Sequence, residues 1–133
     1  MKKSILILPA LLFVFIGYSF HTSQQGRWIA PASADQLSNP YKGNTWAAGA
    51  GKKIFNVQCA ACHGEQGKGD GIVAVSLTPP PANLQSAFTK TESDGAIYWK
   101  ITAGNAPMPS YKLALKDPER WQLVTYIREL QNK

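Results

Sequence analysis

The chain contains few side chains that bind transition metals. Its 133 residues include two cysteines, two histidines and two methionines. His21 and Met1 lie in an apolar leader, so His63 and Met108 are the histidine and methionine of the remaining chain. A structural zinc site needs four nitrogen or sulfur ligands. Because the chain beyond the leader offers three from cysteine and histidine, a zinc-binding domain is disfavoured.

Dense runs of like charge are also scarce. Lysine and arginine number 14 against 8 aspartates and glutamates, which gives a formal net charge of +6. Without the two lysines of the leader, 12 basic residues remain against 8 acidic ones. A nucleic-acid binder concentrates its basic residues on one stripe or patch. We therefore expect no nucleic-acid partner. The mildly basic balance indicates either an ordinary solvated surface or a docking surface for acidic protein partners.

Long hydrophobic runs are confined to the N-terminus. Lys2 and Lys3 precede an uncharged apolar stretch from Ile5 to Phe20. A cleaved signal peptide has an apolar region of about 7–15 residues, and a spanning helix has roughly 17–25. This stretch lies between the two, so residues 1–23 are expected to be a signal peptide or, as the favoured alternative, an uncleaved membrane anchor.

Residues 24–43 have the composition of a linker. Pro31, Pro40 and many small polar residues interrupt any periodic pattern. As a free coil this segment would span about 25 Å on average. Trp28 and Tyr41 are its candidates for docking on the domain that follows.

Alternating apolar and polar residues, the pattern of a β-strand, do not occur over a useful length. Residues 44–133 instead show helical spacing, so an all-α domain is predicted. The first helix is expected from Thr45 to about Cys59. Glycine costs roughly 1 kcal/mol against alanine inside a helix. Gly49 and Gly51 therefore predict the close approach of another helix.

Two further helices have recognisable start and stop residues. Ser93 is expected to cap a helix that runs to Ala103 and stops at Gly104. Asp117 as N-cap and Pro118 at the first helical position predict the last helix. The apolar stripe of this last helix consists of Leu123, Tyr126, Ile127 and Leu130.

The chemistry is concentrated in Cys59-Ala60-Ala61-Cys62-His63. The string C-x-x-C-H is the attachment signature of c-type haem. Two cysteines three positions apart on a helical turn can form thioethers with two vinyl groups on one haem edge. The following histidine then lies under the iron as the proximal ligand.

Two other interpretations of the cysteines are weaker. A thioredoxin-like dithiol expects a strand before and a helix after the motif, whereas here a helix precedes and a glycine-rich loop follows. A disulfide is compatible with an exported protein, but it would leave His63 without a role.

Elimination indicates the second axial ligand. Outside the leader, Met108 is the one methionine and His63 the one histidine. A lone methionine is often a gap-filling core residue within a periodic apolar face. Met108 lies instead in a loop between Pro107 and Pro109. We therefore expect Met108 and His63 to be the two axial ligands of the haem iron.

From about residue 44 to 133 the chain resembles class I cytochrome c, in its bacterial monohaem group. The motifs that carry the resemblance are Gly51-x-x-x-Phe55-x-x-x-Cys59-x-x-Cys62-His63, Gly64-x-x-Gly67-x-Gly69-Asp70-Gly71, Gly104-x-x-x-Met108-Pro109 and Leu123-x-x-Tyr126. In this family the last pair packs across the first helix at Gly51 and Phe55. The resemblance covers about two-thirds of the chain.

The resemblance implies a class I cytochrome c-like fold around one covalent haem c and its iron. It implies a single-electron carrier rather than an enzyme, in a respiratory or related chain. Its donor would be a quinol-oxidising complex or a dehydrogenase, and its acceptor a terminal oxidase or reductase. With the leader, it places the domain on the periplasmic side of the bacterial cytoplasmic membrane, membrane-anchored or, after cleavage, soluble.

One departure from the family concerns the proximal histidine. Many relatives have a proline after Gly-Asp-Gly, where this chain has Ile72, and a proline carbonyl often accepts the histidine hydrogen bond. Pro79 or Pro80 is therefore expected to accept it here. Apolar candidates for the haem pocket are Leu77, Leu84, Tyr98, Trp99, Ile101, Tyr111 and Leu113.

Two alternatives stay open at the level of sequence. The chain could be a haem subunit fixed in a larger respiratory complex. It could also hold a five-coordinate haem that binds a small ligand or peroxide, which requires Met108 to be off the iron. Six lysines lie near the haem-bearing segments in sequence, and in a carrier some of them could ring the exposed haem edge and steer an acidic partner. They are Lys52, Lys53, Lys68, Lys100, Lys112 and Lys116.

Overall fold

The computed structural model describes residues 27–133, and their regular structure is helical. The α-helices are α1 (Thr45–Gln58), α2 (Ala60–His63), α3 (Ala87–Thr91), α4 (Asp94–Ala103) and α5 (Asp117–Gln131). Two 3-10 helices cover Ala32–Gln36 and Ala74–Ser76. Within residues 27–133 no β-strand forms, so the predicted all-α class is confirmed.

The caps of α1 and α4 follow the sequence closely. Asn44 accepts a hydrogen bond from the Ala47 N–H at 3.0 Å and starts α1. The Ser93 hydroxyl accepts from the Ala96 N–H at 3.0 Å and starts α4. Gly104, with φ at 69°, ends α4 as predicted.

The start of α5 corrects the sequence prediction by one residue. Lys116, not Asp117, is the residue before the helix, and its N–H donates to the Glu119 carboxylate at 2.6 Å. Asp117 is the first helical residue, and its carboxylate accepts hydrogen bonds from Tyr98 and Arg120. The side chain expected to cap α5 therefore has other partners.

The first and last helices cross at Gly51. A Cβ atom at Gly51 would lie 2.0 Å from the carbonyl oxygen of Gln122 and 3.0 Å from Cβ of Tyr126. Phe55 then packs edge-on against Tyr126, with ring centroids 5.3 Å apart. The predicted Gly51–Tyr126 crossing is therefore present.

Gly49 does not share this contact, although the sequence predicted that it would. No heavy atom lies within 4 Å of a Cβ built on Gly49. Residues two positions apart on a helix differ by about 200° in direction, so Gly49 lies away from the contact at which Gly51 meets α5. The core between the helices instead includes the predicted stripe of α5, because Leu123, Tyr126, Ile127 and Leu130 are all buried.

Much of the segment that precedes α1 is folded onto the domain. Its 3-10 helix packs on α4 and buries Ala34. The Asn39 side chain donates to Asp94 at 3.0 Å and to Thr125 at 3.2 Å. Tyr41 packs against the core. Residues 27–43 are thus packed on the domain. The free-coil span of about 25 Å therefore does not apply to them.

The predicted leader, residues 1–23, and His21 lie outside the described residues. Among residues 27–133, no helix has the length and apolar character needed to cross a bilayer. The division of the chain into leader, linker and cytochrome domain stays a prediction.

Candidate haem site

One apolar cavity of about 390 Å³ lies between the end of α1, α4 and two loops. The loops are residues 77–84 on one side and residues 105–111 on the other. The structure brings all four predicted site residues to this cavity, namely Cys59, Cys62, His63 and Met108.

A tight helical turn presents the cysteines and the histidine together. The carbonyl of Cys59 accepts hydrogen bonds from the N–H of Cys62 at 3.1 Å and from that of His63 at 2.8 Å. Both cysteines are half-buried, and no disulfide joins them. Burial, with the nearby Cys62, raises the pKa of Cys59 to about 12. The motif therefore holds two sulfur atoms and one imidazole against the same cavity.

The orientation of His63 is set by Ala82. Nδ1 of His63 lies 3.0 Å from the carbonyl oxygen of Ala82. A carbonyl can only accept, so Nδ1 carries the proton and Nε2 is the nitrogen available to iron. Burial lowers the pKa of His63, while this hydrogen bond acts in the opposite direction. The imidazole is therefore held in the neutral form that binds metals.

The expectation that Pro79 or Pro80 accepts this bond is wrong. Pro79, Pro80 and Pro81 all line the cavity, and they carry the chain past the histidine ring. The carbonyl that faces Nδ1 belongs to the next residue, Ala82. Every residue has a carbonyl, so no side-chain signal in the sequence could have singled out this one.

The glycine-rich loop after the motif closes back on it. The N–H of Gly69 donates to the carbonyl of His63 at 2.8 Å, and that of Gly71 donates to Cys62 at 3.1 Å. A Cβ at Gly71 would lie 2.2 Å from the Ala61 carbonyl oxygen. This close approach explains the glycine there, and the loop fixes the backbone that carries His63.

The Met108 loop is held in place by hydrogen bonds to two helices. Asn105 and Met108 exchange a pair of backbone hydrogen bonds, each 2.9 Å long. Ser110 donates to the Thr102 carbonyl at 2.7 Å, at the end of α4. The Tyr111 hydroxyl donates to the Gln58 carbonyl at 2.7 Å, at the end of α1. Met108 is thereby kept at the cavity by a fixed loop.

Four of the seven predicted pocket residues line the cavity, namely Leu77, Leu84, Ile101 and Tyr111. The other three do not. Tyr98 stacks on Trp121 with centroids 4.0 Å apart, Trp99 packs against Trp28, and Leu113 is 98 % exposed. Ile101 lies on the face of α4 that lines the cavity, whereas Tyr98 and Trp99 lie on other faces of this helix.

Several lining residues were not predicted. Phe55, Ile97, Leu123 and Ile127 line the cavity from the helices, and Phe88 from α3. The first four were treated as helix-packing residues or left unassigned, and periodicity cannot distinguish a helix core from a cofactor pocket. In these helices the same buried face forms both the core between helices and the wall of the cavity.

The cavity has a charged margin. Arg27, Glu92 and Lys100 all line it. Lys100 forms an ion pair with Glu92, and little of either side chain is exposed. Arg27 lies 4.6 Å from the centroid of the Phe88 ring. Lys100 is therefore a residue of the cavity margin, and it is paired with Glu92.

These residues fit a covalently bound haem. The cavity offers two thiols at the required spacing, an imidazole with Nε2 available, a thioether and a mainly apolar lining. A bare metal ion has no comparable site, since no group of three His, Cys, Asp or Glu side chains within residues 27–133 could hold one.

The helical fold and this pocket define a c-type cytochrome. The family model described as cytochrome C oxidase, cbb3-type, subunit III matches residues 47–127. The chain therefore belongs to this cytochrome c family, as a class I monohaem member with a covalent haem c and its iron. The resemblance inferred from the motifs is confirmed.

Three curated relatives agree with this assignment. Cytochrome c6 of Leptolyngbya boryana is 32% identical over 88 residues, covering 65% of this chain and 95% of the relative. Cytochrome c6 of Gloeothece citriformis is 29% identical over 136 residues, covering 100% and 98%. The cbb3-type cytochrome c oxidase subunit CcoP of Azospirillum brasilense is 30% identical over 100 residues, covering 73% of this chain and 34% of the relative.

A solved structure has the same fold. A chain of the Kuenenia stuttgartiensis reducing HAO-like protein complex superposes with a TM-score of 0.59 and 31% identity. The match covers 71% of this chain and 46% of that one. This protein thus spans about a third of CcoP and just under half of the solved chain, but nearly all of the two cytochromes c6.

Proposed function

We propose that this protein carries single electrons through a haem c attached at Cys59 and Cys62, with His63 and Met108 as axial ligands. The observation that carries this proposal is the meeting of all four side chains at one apolar cavity. When bound, the haem iron supplies one-electron exchange between Fe(III) and Fe(II).

The residues around the pocket tune that exchange. The soft thioether of Met108 favours Fe(II) over Fe(III). The apolar lining acts in the same direction, because it disfavours additional positive charge. With His63 and Met108 both holding the iron, no position on it would remain for a substrate, which suits a carrier rather than an enzyme that binds substrate at iron.

The proposed place of this exchange is the periplasmic side of the bacterial cytoplasmic membrane. Residues 1–23 would hold the domain there as an anchor, or direct its export as a cleaved signal peptide. The donor would be a quinol-oxidising complex or dehydrogenase, and the acceptor a terminal oxidase or reductase.

A fixed subunit of a larger complex is the second candidate. It is favoured by the names of two similar proteins, an oxidase subunit and a chain of a multiprotein complex. Purification in mild detergent separates the two candidates. Stoichiometric co-purification with other redox subunits supports the subunit, whereas a free monohaem protein supports the carrier.

Replacement of Met108 tests the proposed ligation. Met108→Ala removes the thioether, so its reduction potential should fall by about 59 mV or more, equivalent to about 1.4 kcal/mol for one electron. Met108→His refills the position with a harder ligand and should also lower the potential. Potentiometric titration against the wild type measures both changes. An unchanged potential in both variants would exclude Met108 as a ligand.

A further inference from the structure

The chain between Met108 and α5 is held by a buried arginine. Arg120 lies in the first turns of α5 and is only 7% exposed. Its Nη1 donates to the carbonyl of Lys112 at 3.0 Å and to that of Leu115 at 3.1 Å. One guanidinium nitrogen therefore bridges two backbone positions of the segment that leads from the Met108 loop into α5.

The other side of the guanidinium is fixed by α4 and by the start of α5. Nη2 of Arg120 donates to the Tyr98 hydroxyl at 2.9 Å and to the Asp117 carboxylate at 2.6 Å. Tyr98 also donates to Asp117 and stacks on Trp121. The arginine is thus anchored to rigid helices on one side and holds a loop on the other.

Local hydrogen bonds connect residues 112–115, the segment bonded to Arg120, with the Met108 loop. The N–H of Leu115 donates to the carbonyl of Tyr111 at 3.0 Å. The N–H of Lys112 lies 3.3 Å from the Ser110 hydroxyl oxygen, which accepts its hydrogen bond. A displacement of Lys112 or Leu115 would therefore pass through these hydrogen bonds to Ser110 and Tyr111. Ser110 is two residues from Met108.

Burying a cation is unfavourable unless its donors are satisfied. The carboxylate that pairs with Arg120 belongs to Asp117, whose side chain is 66% exposed. Apolar residues of similar size often replace buried ion pairs without loss of stability. Filling space therefore does not require an arginine here. Holding the two carbonyls from Nη1 while Nη2 bonds Tyr98 and Asp117 requires the two branches of a guanidinium.

We propose that Arg120 is a positioning residue for Met108. By clamping Lys112 and Leu115, it limits opening of the Met108 loop and keeps the thioether over the haem iron. This inference rests on the proposed axial ligation by Met108.

Arg128 provides a matched control on the same helix. Its guanidinium donates to Asp94 at 2.6 Å, to the Glu92 carbonyl at 2.5 Å and to Gln131 at 2.7 Å. These contacts tie α5 to the start of α4 and do not involve the Met108 loop. Arg128→Lys therefore loosens helix packing while leaving that loop in place.

The test uses the ferric holoprotein and two readouts. One is the rate at which imidazole displaces the sixth ligand, seen as loss of the weak far-red sulfur–iron band. The other is the midpoint of global unfolding. Arg120→Lys should accelerate displacement about tenfold or more, because one shorter, unforked ammonium cannot reach the two carbonyls and the Tyr98–Asp117 pair at the same time. Arg128→Lys should lower the unfolding midpoint and leave the displacement rate within about twofold of wild type.

Tyr98→Phe keeps the test decisive if Arg120→Lys does not fold. It removes one partner of the guanidinium and should accelerate displacement about threefold. Equal effects of the Arg120 and Arg128 variants on both readouts, or an unchanged rate in Tyr98→Phe, would overturn the positioning role alone. A wild-type protein without the far-red band would overturn both this role and the ligation by Met108.

Discussion

At His63, one hydrogen bond decides which ring nitrogen can reach a metal. The Ala82 carbonyl lies 3.0 Å from Nδ1 and requires a proton there. Burial lowers the pKa of the imidazole, which keeps the ring neutral. Tautomer and charge are thus both set by the protein, and Nε2 is the nitrogen left free to bind a metal.

The sequence predicted the side chains of the site but not the groups that position them. Cys59, Cys62 and His63 were identified because their spacing is itself the chemical requirement, and Met108 because few soft ligands exist in the chain. Ala82 acts through its backbone, which carries no sequence signal. Arg120 acts through partners that are brought together only by tertiary packing.

Covalent attachment gives a prediction at the level of single residues. Cys59→Ala and Cys62→Ala should each leave one thioether, and the double variant should release its haem into acidified acetone. Met108→Ala is the control, because it leaves both thioethers intact and should retain its haem. Release of haem from the wild type under these conditions would show that the attachment is not covalent.

Among the elements, the crossing of α1 and α5 organises the domain. Gly51 lets the Gln122 backbone and Tyr126 approach α1, and Phe55 packs on Tyr126 beside the cavity. The same crossing therefore builds the core and one wall of the pocket.

Two glycines of α1 give a matched pair of variants. Gly51→Val should destabilise the holoprotein by about 2 kcal/mol or more, since the new side chain would overlap the Gln122 backbone. Gly49→Val should change stability by less than about 0.5 kcal/mol, because the site is open and valine is the better helix former. Denaturant unfolding measures both, and equal effects would contradict the helix crossing.

Helix ends were predictable where a local cap decides them. Ser93 and Gly104 bound α4 as expected, because both act on their own backbone neighbourhood. The start of α5 was misplaced by one residue, since Asp117 bonds to Tyr98 and Arg120 instead of capping. The packing of residues 27–43 also depends on distant partners, because the Asn39 side chain donates hydrogen bonds to Asp94 and Thr125.

For the whole molecule, the basic surface bears on partner docking. Five of the six lysines expected near the haem are exposed, namely Lys52, Lys53, Lys68, Lys112 and Lys116. Lys100 is paired with Glu92 at the cavity and does not belong to this group. Exposed charges of one sign accelerate association with a partner of opposite charge, and salt screens the effect.

An acidic redox partner should therefore accept electrons at a rate that falls with ionic strength. Lys112 follows Tyr111, which lines the cavity, so Lys112→Glu should reduce both the rate at low salt and its salt dependence. Lys133→Glu changes the net charge equally at the chain end and should have a smaller effect. Stopped-flow electron transfer measures both. Equal responses would show that net charge, not the haem-side lysines, governs docking.

Access to the iron distinguishes an electron carrier from a ligand-binding haem protein. If Met108 closes the sixth position, exogenous ligands have no open site on the reduced iron. The direct measurement is the absorption spectrum of the reduced wild-type protein before and after addition of carbon monoxide at neutral pH. An unchanged spectrum is the predicted result, and rapid formation of a carbon monoxide complex would contradict the carrier function.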